Sequence, residues 1–258
     1  MDPKGKFFYY GSNFSEGGLT EVVGGLAGAG TASLNAVPGS PFAADDMPFY
    51  VQVHPNGSYL YTVNLSIQPV VLTSISGLSI DSSTGALTPL PGSPFKIPLN
   101  ADVSGFAIHP SGKYMYVSSG RAANGILAWS IDPIAGTLTV LPASPFEPGT
   151  TPVGIAIDPT GKFLYSSNAL SGGGISGFTV DPVSGSLTPM AGSPFDTAAL
   201  LTAPSIDPTG KFLISYDTHN KALVIFSIDT ATGSIQRIGS PTPLDAFPFV
   251  LTFAKAPQ

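Results

Sequence analysis

Few residues in this sequence can do acid–base or ion-binding chemistry, and most of them lie between stretches of regular alternation. His219 stands in Asp217-Thr218-His219-Asn220. There an imidazole could take a proton from water, with the Asp217 carboxylate orienting it. Arg121 lies in Gly120-Arg121-Ala122-Ala123-Asn124, and its planar fork suits a carboxylate or phosphate. Asp45, Asp46, Asp102 and Asp245 each precede an apolar stretch. Brought together, such carboxylates could activate water or hold a cation. Each also has a plain structural role open to it, accepting backbone N–H bonds in a turn. Asn13, Asn64 and Asn168 each follow an aromatic-rich stretch, where an amide could cap a strand or reach a ligand.

Other chemistry is excluded by what is missing. The chain has no cysteine, which removes disulfides, thiolate catalysis and cysteine-ligated metals. It contains no Gly-x-Ser-x-Gly elbow and no His-Glu-x-x-His helix motif. A net charge of -6 argues against nucleic acid, whose backbone calls for a basic face. No apolar run approaches the ~18 residues of a membrane helix. No cofactor and no metal ligand set is expected, and nothing points beyond a monomer. The chain carries no charged-then-apolar leader, so export to the periplasm or medium is expected only through a leader outside it; the cytoplasm stays open as an alternative.

The elements that must position these residues repeat. A turn of the form Asp/His-Pro-x-Gly recurs at Asp2-Pro3-Lys4-Gly5, His54-Pro55-Asn56-Gly57, His109-Pro110-Ser111-Gly112, Asp158-Pro159-Thr160-Gly161 and Asp207-Pro208-Thr209-Gly210. Proline presets φ, the leading side chain can accept backbone N–H bonds, and glycine takes the left-handed position. His54 and His109 therefore read as turn residues, and no three-histidine metal site is expected. In the fourth repeat, strands are expected over 151–157, 162–167, 175–180 and 186–190. The second turn, Asp181-Pro182-Val183-Ser184-Gly185, has counterparts at Asp81, Asp132 and Asp229. A Ser-Pro-Phe segment at 40, 93, 144 and 193 leads to the next repeat. In the first repeat the glycine run 24–30 replaces the second turn and reads as a loose hairpin.

Four antiparallel strands in units of about fifty residues predict an all-β, five-bladed β-propeller over 1–258 as a single domain. The first repeat lacks an inner strand, and 247–254 reads as one with no partner after it. Sharing one blade between the termini would close the ring and cover open edges. The two regular turns of each repeat fall at one end of the sheet. The variable second-to-third loops and crossovers fall at the other, where a site at the mouth of an axial channel is expected.

The stretches Phe163-Leu164-Tyr165-Ser166-Ser167-Asn168 and Tyr114-Met115-Tyr116-Val117-Ser118-Ser119 resemble those of lactonase-type, YVTN-repeat β-propellers. So do Trp129-Ser130-Ile131-Asp132-Pro133 and Phe178-Thr179-Val180-Asp181-Pro182, each followed by a Gly-x-Leu-Thr strand. The resemblance implies a fold whose members usually look seven-bladed. It also implies an activity similar to that of 6-phosphogluconolactonase and the cyclic-muconate lactonising enzymes, although many such propellers have no assigned reaction. The expected function is hydrolysis of a small, anionic lactone or sugar-derived ester at the mouth of the axial channel. His219, Asp217 and Asp102 are the catalytic candidates, and Arg121, Asp45, Asp46, Asp245 and Asn168 the substrate-binding ones. The alternative is a non-catalytic exported propeller that binds carbohydrate or protein through the same loops.

Overall fold

A computed structural model describes residues 1–12, 21–27, 34–45, 47–64, 74–98, 103–120, 125–147, 151–168, 173–196, 199–244, 248 and 251. They form five antiparallel sheets of the kind that make propeller blades. The first holds β1 (Phe7–Ser12), β2 (Glu21–Ala27) and β3 (Leu34–Ala36), with β4 (Phe42–Ala43) also on β2. The second runs β5 (Pro48–Val53), β6 (Tyr59–Asn64), β7 (Ser74–Ile80) and β8 (Leu87–Pro89), with β9 (Phe95–Lys96) on β7. The third runs β10 (Val103–Ile108), β11 (Tyr114–Ser119), β12 (Gly125–Ile131) and β13 (Leu138–Val140). The fourth is β14 (Pro152–Ile157), β15 (Phe163–Asn168), β16 (Ile175–Val180) and β17 (Leu187–Pro189). The fifth is β18 (Leu201–Ile206), β19 (Phe212–Asp217), β20 (Ala222–Ile228) and β21 (Ile235–Pro243). The first sheet has no strand inside β1 among the described residues, and the segment 247–254 expected there lies almost wholly outside them.

Two compact units are present. One comprises residues 1–102, 111–113 and 130–139, and the other 103–110, 114–129 and 140–258.

Both turn types form as their residues dictate. In Asp158-Pro159-Thr160-Gly161, Asp158 Oδ1 accepts the Phe163 N–H (2.7 Å) and Oδ2 the Thr160 N–H (2.9 Å). Gly161 takes φ +77°. In the second turn, Asp181 Oδ1 accepts the N–H groups of Val183 (2.9 Å) and Ser184 (2.7 Å).

The Ser-Pro-Phe segment does more than lead onward. Ser93 Oγ accepts the Gly77 N–H (3.0 Å) and Ser193 Oγ the Gly177 N–H (2.9 Å). Phe95 and Phe195 then pair back onto the third strand, at Ile75 and Ile175. A Cβ on Gly177 would stand 2.8 Å from the Phe195 ring.

The first repeat departs from the hairpin expected over 24–30. Gly24 and Gly25 lie inside β2, not in a turn. The reason is packing. A Cβ on Gly25 would come within 2.1 Å of the Phe8 ring, and one on Gly24 within 2.9 Å of Tyr9. Residues 28–30 lie outside the described residues.

Neighbouring sheets within each unit are tied by tyrosines on the second strand. Tyr9 and Tyr61 donate to the carbonyls of Gly85 (2.9 Å) and Gly136 (2.6 Å) in the next repeat's second turn. Tyr116 and Tyr165 do the same to Gly185 (2.8 Å) and Gly233 (2.7 Å). Leu164, Phe178, Tyr116 and Ile126 share one buried cluster. Tyr165, Leu213, Phe226 and Ile175 share another.

The first-turn histidines form the same kind of tie. His54 Nε2–H donates to the Gly112 carbonyl (2.8 Å), while Nδ1 accepts the Asn56 N–H (3.2 Å). His109 reaches the Gly161 carbonyl in the same way (2.8 Å). Aspartate at this position caps its own turn; His54 caps its own turn and reaches the next one as well. His54→Ala is expected to cost about 1–3 kcal/mol, because it leaves a buried carbonyl without its donor. Thermal unfolding measures it, and an unchanged melting temperature would rule the tie out as a stabiliser.

The pH range of stability follows from the same groups. Hydrogen bonds from Ser83 and Thr84 hold Asp81 below the usual carboxylate range. Backbone N–H bonds hold Asp132, Asp181 and Asp229 down, those of Ala135, Ser184 and Thr232 first in each case. A carboxylate depressed in the folded state stabilises above its unfolded pKa, near 3.9, and that stability is lost as pH falls further. Burial pushes the phenols of Tyr9, Tyr61, Tyr116 and Tyr165 up. A raised phenol stabilises below about pH 10 and loses that contribution above it. Melting temperature should therefore hold a plateau between about pH 4 and 10 and fall on both sides. A steady decline through neutrality would contradict this.

Candidate functional site

The second strands carry a gradient. β6, β11 and β15 are buried at all six positions. Each begins with large rings at the turn end and finishes with small polar groups at the loop end. Thr62, Asn64, Ser118, Ser119, Ser166, Ser167, Asn168, Ser215 and Asp217 are all fully buried there. Buried polar groups need partners, and what partners they have decides what this layer can offer a ligand.

In the first unit the layer extends to an exposed carboxylate. Asn64 Nδ2 donates to Ser74 Oγ and Ser76 Oγ, each at 2.9 Å. Ser74 Oγ donates to Asp45 Oδ2 (2.6 Å), and the Asp45 N–H reaches Ser76 Oγ (3.1 Å). Sequence reasoning missed Ser74 and Ser76. Their signal was register, since they stand opposite Asn64 and Thr62 across β6 and β7.

In the second unit Ser104 Oγ donates to the Pro152 carbonyl (2.8 Å). Asn168, which faces Pro152 across β14 and β15, donates through Nδ2 to the Gly173 carbonyl and Ser176 Oγ, each at 2.9 Å. Because a carbonyl only accepts, this fixes the amide's orientation. Asn168 Oδ1 is then a buried acceptor without a partner, and Ser119 Oγ and Ser167 Oγ are likewise buried and unpartnered. Both amide protons of Asn168 are thus spent, so what it offers is an acceptor.

Asp217 ends β19 and holds the loop after it. Oδ1 accepts the N–H groups of His219 (3.0 Å) and Asn220 (3.1 Å), and Oδ2 the Asn220 side-chain amide (2.7 Å). The carboxylate thus positions the main chain around His219, whose exposed ring is not among its partners. Arg121, Asp46, Asp102 and Asp245 lie outside the described residues, and so does Asn13. Within the described residues Ser12 stands on β1 at the position that Asn64 takes on β6 and Asn168 on β15, seven residues after the first-turn glycine. Among the described residues no three His, Asp or Glu side chains stand together as a metal site. The described arginine, Arg237, pairs with Asp196 (3.3 Å).

No curated protein matches the chain. Solved structures do. A proposed 6-phosphogluconolactonase of Bacteroides uniformis is 20% identical, with a TM-score of 0.75 over 96% of this chain and 71% of its own. The periplasmic gluconolactonase of Pseudomonas aeruginosa is 18% identical, with a TM-score of 0.72 over 95% and 71%. At these identities the likeness is one of fold. The model of the family described as "Lactonase, 7-bladed beta-propeller" matches residues 30–197, well over half of the 258. By that match, this chain of five described sheets belongs to the seven-bladed lactonase propeller family.

Proposed function

We propose that the chain hydrolyses a small sugar-derived lactone at the loop end of its sheets. The observation that carries this reading is the lactonase-family match over 30–197, a stretch that includes Asp45 and Asn168 of the polar layer. The names of the two solved structures, a proposed 6-phosphogluconolactonase and a periplasmic gluconolactonase, point the same way.

His219, exposed on the loop that Asp217 holds, takes a proton from water; Asp102 is the other candidate base. The hydroxide adds to the lactone carbonyl carbon, the ring C–O bond breaks, and the leaving alkoxide regains the proton. Arg121 grips an anionic end of the substrate. Asp45, Asp46, Asp245 and the acceptor Asn168 Oδ1 meet hydroxyl groups. In this reading residues 247–254 lie beside β1 as the innermost strand of a closed ring. Deleting 247–258 should then speed amide exchange along β1, and unchanged exchange would count against closure. The protein acts outside the cytoplasm as a monomer.

Hydrolysis of glucono-δ-lactone and 6-phosphoglucono-δ-lactone tests the activity, followed as acid release above the spontaneous rate. Arg121→Ala should raise KM for the phosphorylated substrate far more than for the neutral one. No release above background with either lactone would overturn the assignment. One observation favours the second reading, a carbohydrate-binding propeller without catalysis: no described residue polarises the His219 ring.

A further inference from the structure

One aromatic ring stands open at the loop end of the first unit. Phe49 is 46% exposed. It lies on β5, the edge strand of the second sheet, beside the last residues of β6. Pro48 faces Asn64 and Tyr50 faces Val63, so a bulge leaves Phe49 without a partner in the ladder. A bulge of this kind turns its extra side chain out of the regular alternation. A lone exposed ring on a loop would need no explanation, but this one is held in place. Pro48 is buried, and its carbonyl packs so closely on β1 that a Cβ on Gly11 would lie 2.1 Å away. The Phe49 ring stands edge-to-face against Tyr50, with centroids 5.0 Å apart at 75°.

The first strands of the third, fourth and fifth sheets bulge at the corresponding end. What stands there is smaller: Ser104 on β10, Val153 on β14, and Ala203 with Pro204 on β18, each partly buried. Ser104 spends its hydroxyl on the Pro152 carbonyl. Phe49 has no polar group to spend, and what it presents is a flat face. The face of an aromatic ring carries partial negative charge. The C–H groups along one side of a sugar-derived ring, polarised by neighbouring oxygens, meet that face. Such a contact needs no free donor or acceptor from the protein. An open-chain acid has no flat side of this kind, and a cation would meet the ring through its charge alone.

We propose that Phe49 is a specificity-determining residue, a platform on which the lactone stacks while its ring is closed and from which the open-chain acid departs. This rests on the reading of the loop end as a lactone site. D-glucono-δ-lactam keeps the ring but puts an amide where the ester was, so it reports binding without turnover. It is titrated into the isotopically labelled full chain, with D-gluconate and tetramethylammonium in parallel. The lactam should shift the signals of 48–50 and of the Phe49 ring; the other two should leave them in place at equal concentration. Covering the open part of a phenylalanine side chain is worth about tenfold in affinity. Phe49→Ala should therefore weaken the lactam about tenfold. It should raise KM for glucono-δ-lactone by a similar factor against a small change in kcat, because the ring is still closed when its carbonyl is attacked. Phe49→Trp keeps a flat face and should restore both. No lactam shift at Phe49, equal lactam affinity in Phe49→Ala, gluconate bound there as tightly as the lactam, or tetramethylammonium bound there in preference would each overturn the proposal. Lactam binding that depends on Phe49, in a chain that turns over no lactone, would remove the hydrolase and keep the platform. Turnover with KM unmoved in Phe49→Ala would do the reverse.

Discussion

Gly185→Ala should destabilise the protein by about 2–5 kcal/mol, measured as a shift in the urea unfolding curve. Two costs combine. Gly185 sits at φ +72°, where an L side chain costs about 1–2 kcal/mol. The new methyl would also lie 2.5 Å from the ring of Tyr114. That ring is buried and held by its hydroxyl at the Val183 carbonyl, so it cannot step aside. Overpacking of this kind costs about 1–3 kcal/mol. Gly239 provides the control, since its φ is +67° and nothing lies within 4 Å of its missing Cβ. Gly239→Ala should show the backbone cost alone, about 1–2 kcal/mol. Equal losses at the two glycines would show that the tyrosine does not restrict the turn.

His219→Ala should lower kcat for lactone hydrolysis about 10²–10⁴-fold, the usual contribution of a positioned general base. Asp217→Asn separates positioning from chemistry. The amide keeps an oxygen for the N–H groups of His219 and Asn220 but loses the charge that holds the Asn220 side chain. The variant should reduce kcat less than His219→Ala does and leave the pH profile in place. If His219→Ala turns over at the wild-type rate, the base lies elsewhere, and Asp102→Asn becomes the decisive variant. If both retain full activity, the catalytic assignment is wrong.

The repeat was open to reading because its turns are written in side chains that act locally. Asp181 and Gly185 form their turn whatever surrounds them, and so do Asp158 and Gly161. The strands between them followed to within a residue; the second strand expected over 162–167 spans Phe163–Asn168. The glycines of the first repeat were misread because their cause is remote in sequence: Phe8 and Tyr9 come close to the backbone of β2. Asp45 shows why a site is harder to read than a fold. Its partners Ser74 and Ser76 lie about thirty residues on, and only the paired strands bring them together. Asp217 and His219 are adjacent enough to suggest a dyad, but a carboxylate that near meets the backbone of its own loop first.

The tyrosine ties have a direction. Each donor lies on one repeat and its acceptor on the next, at the head of one module and the tail of another. A contact of that kind does not complement itself, so it sets no limit on how many modules can join. Gain or loss of a whole module leaves every surviving tie chemically unchanged. Blade number in such a family is therefore free to drift by duplication and deletion, while every such tie needs a phenol on one unit and a glycine carbonyl on the next.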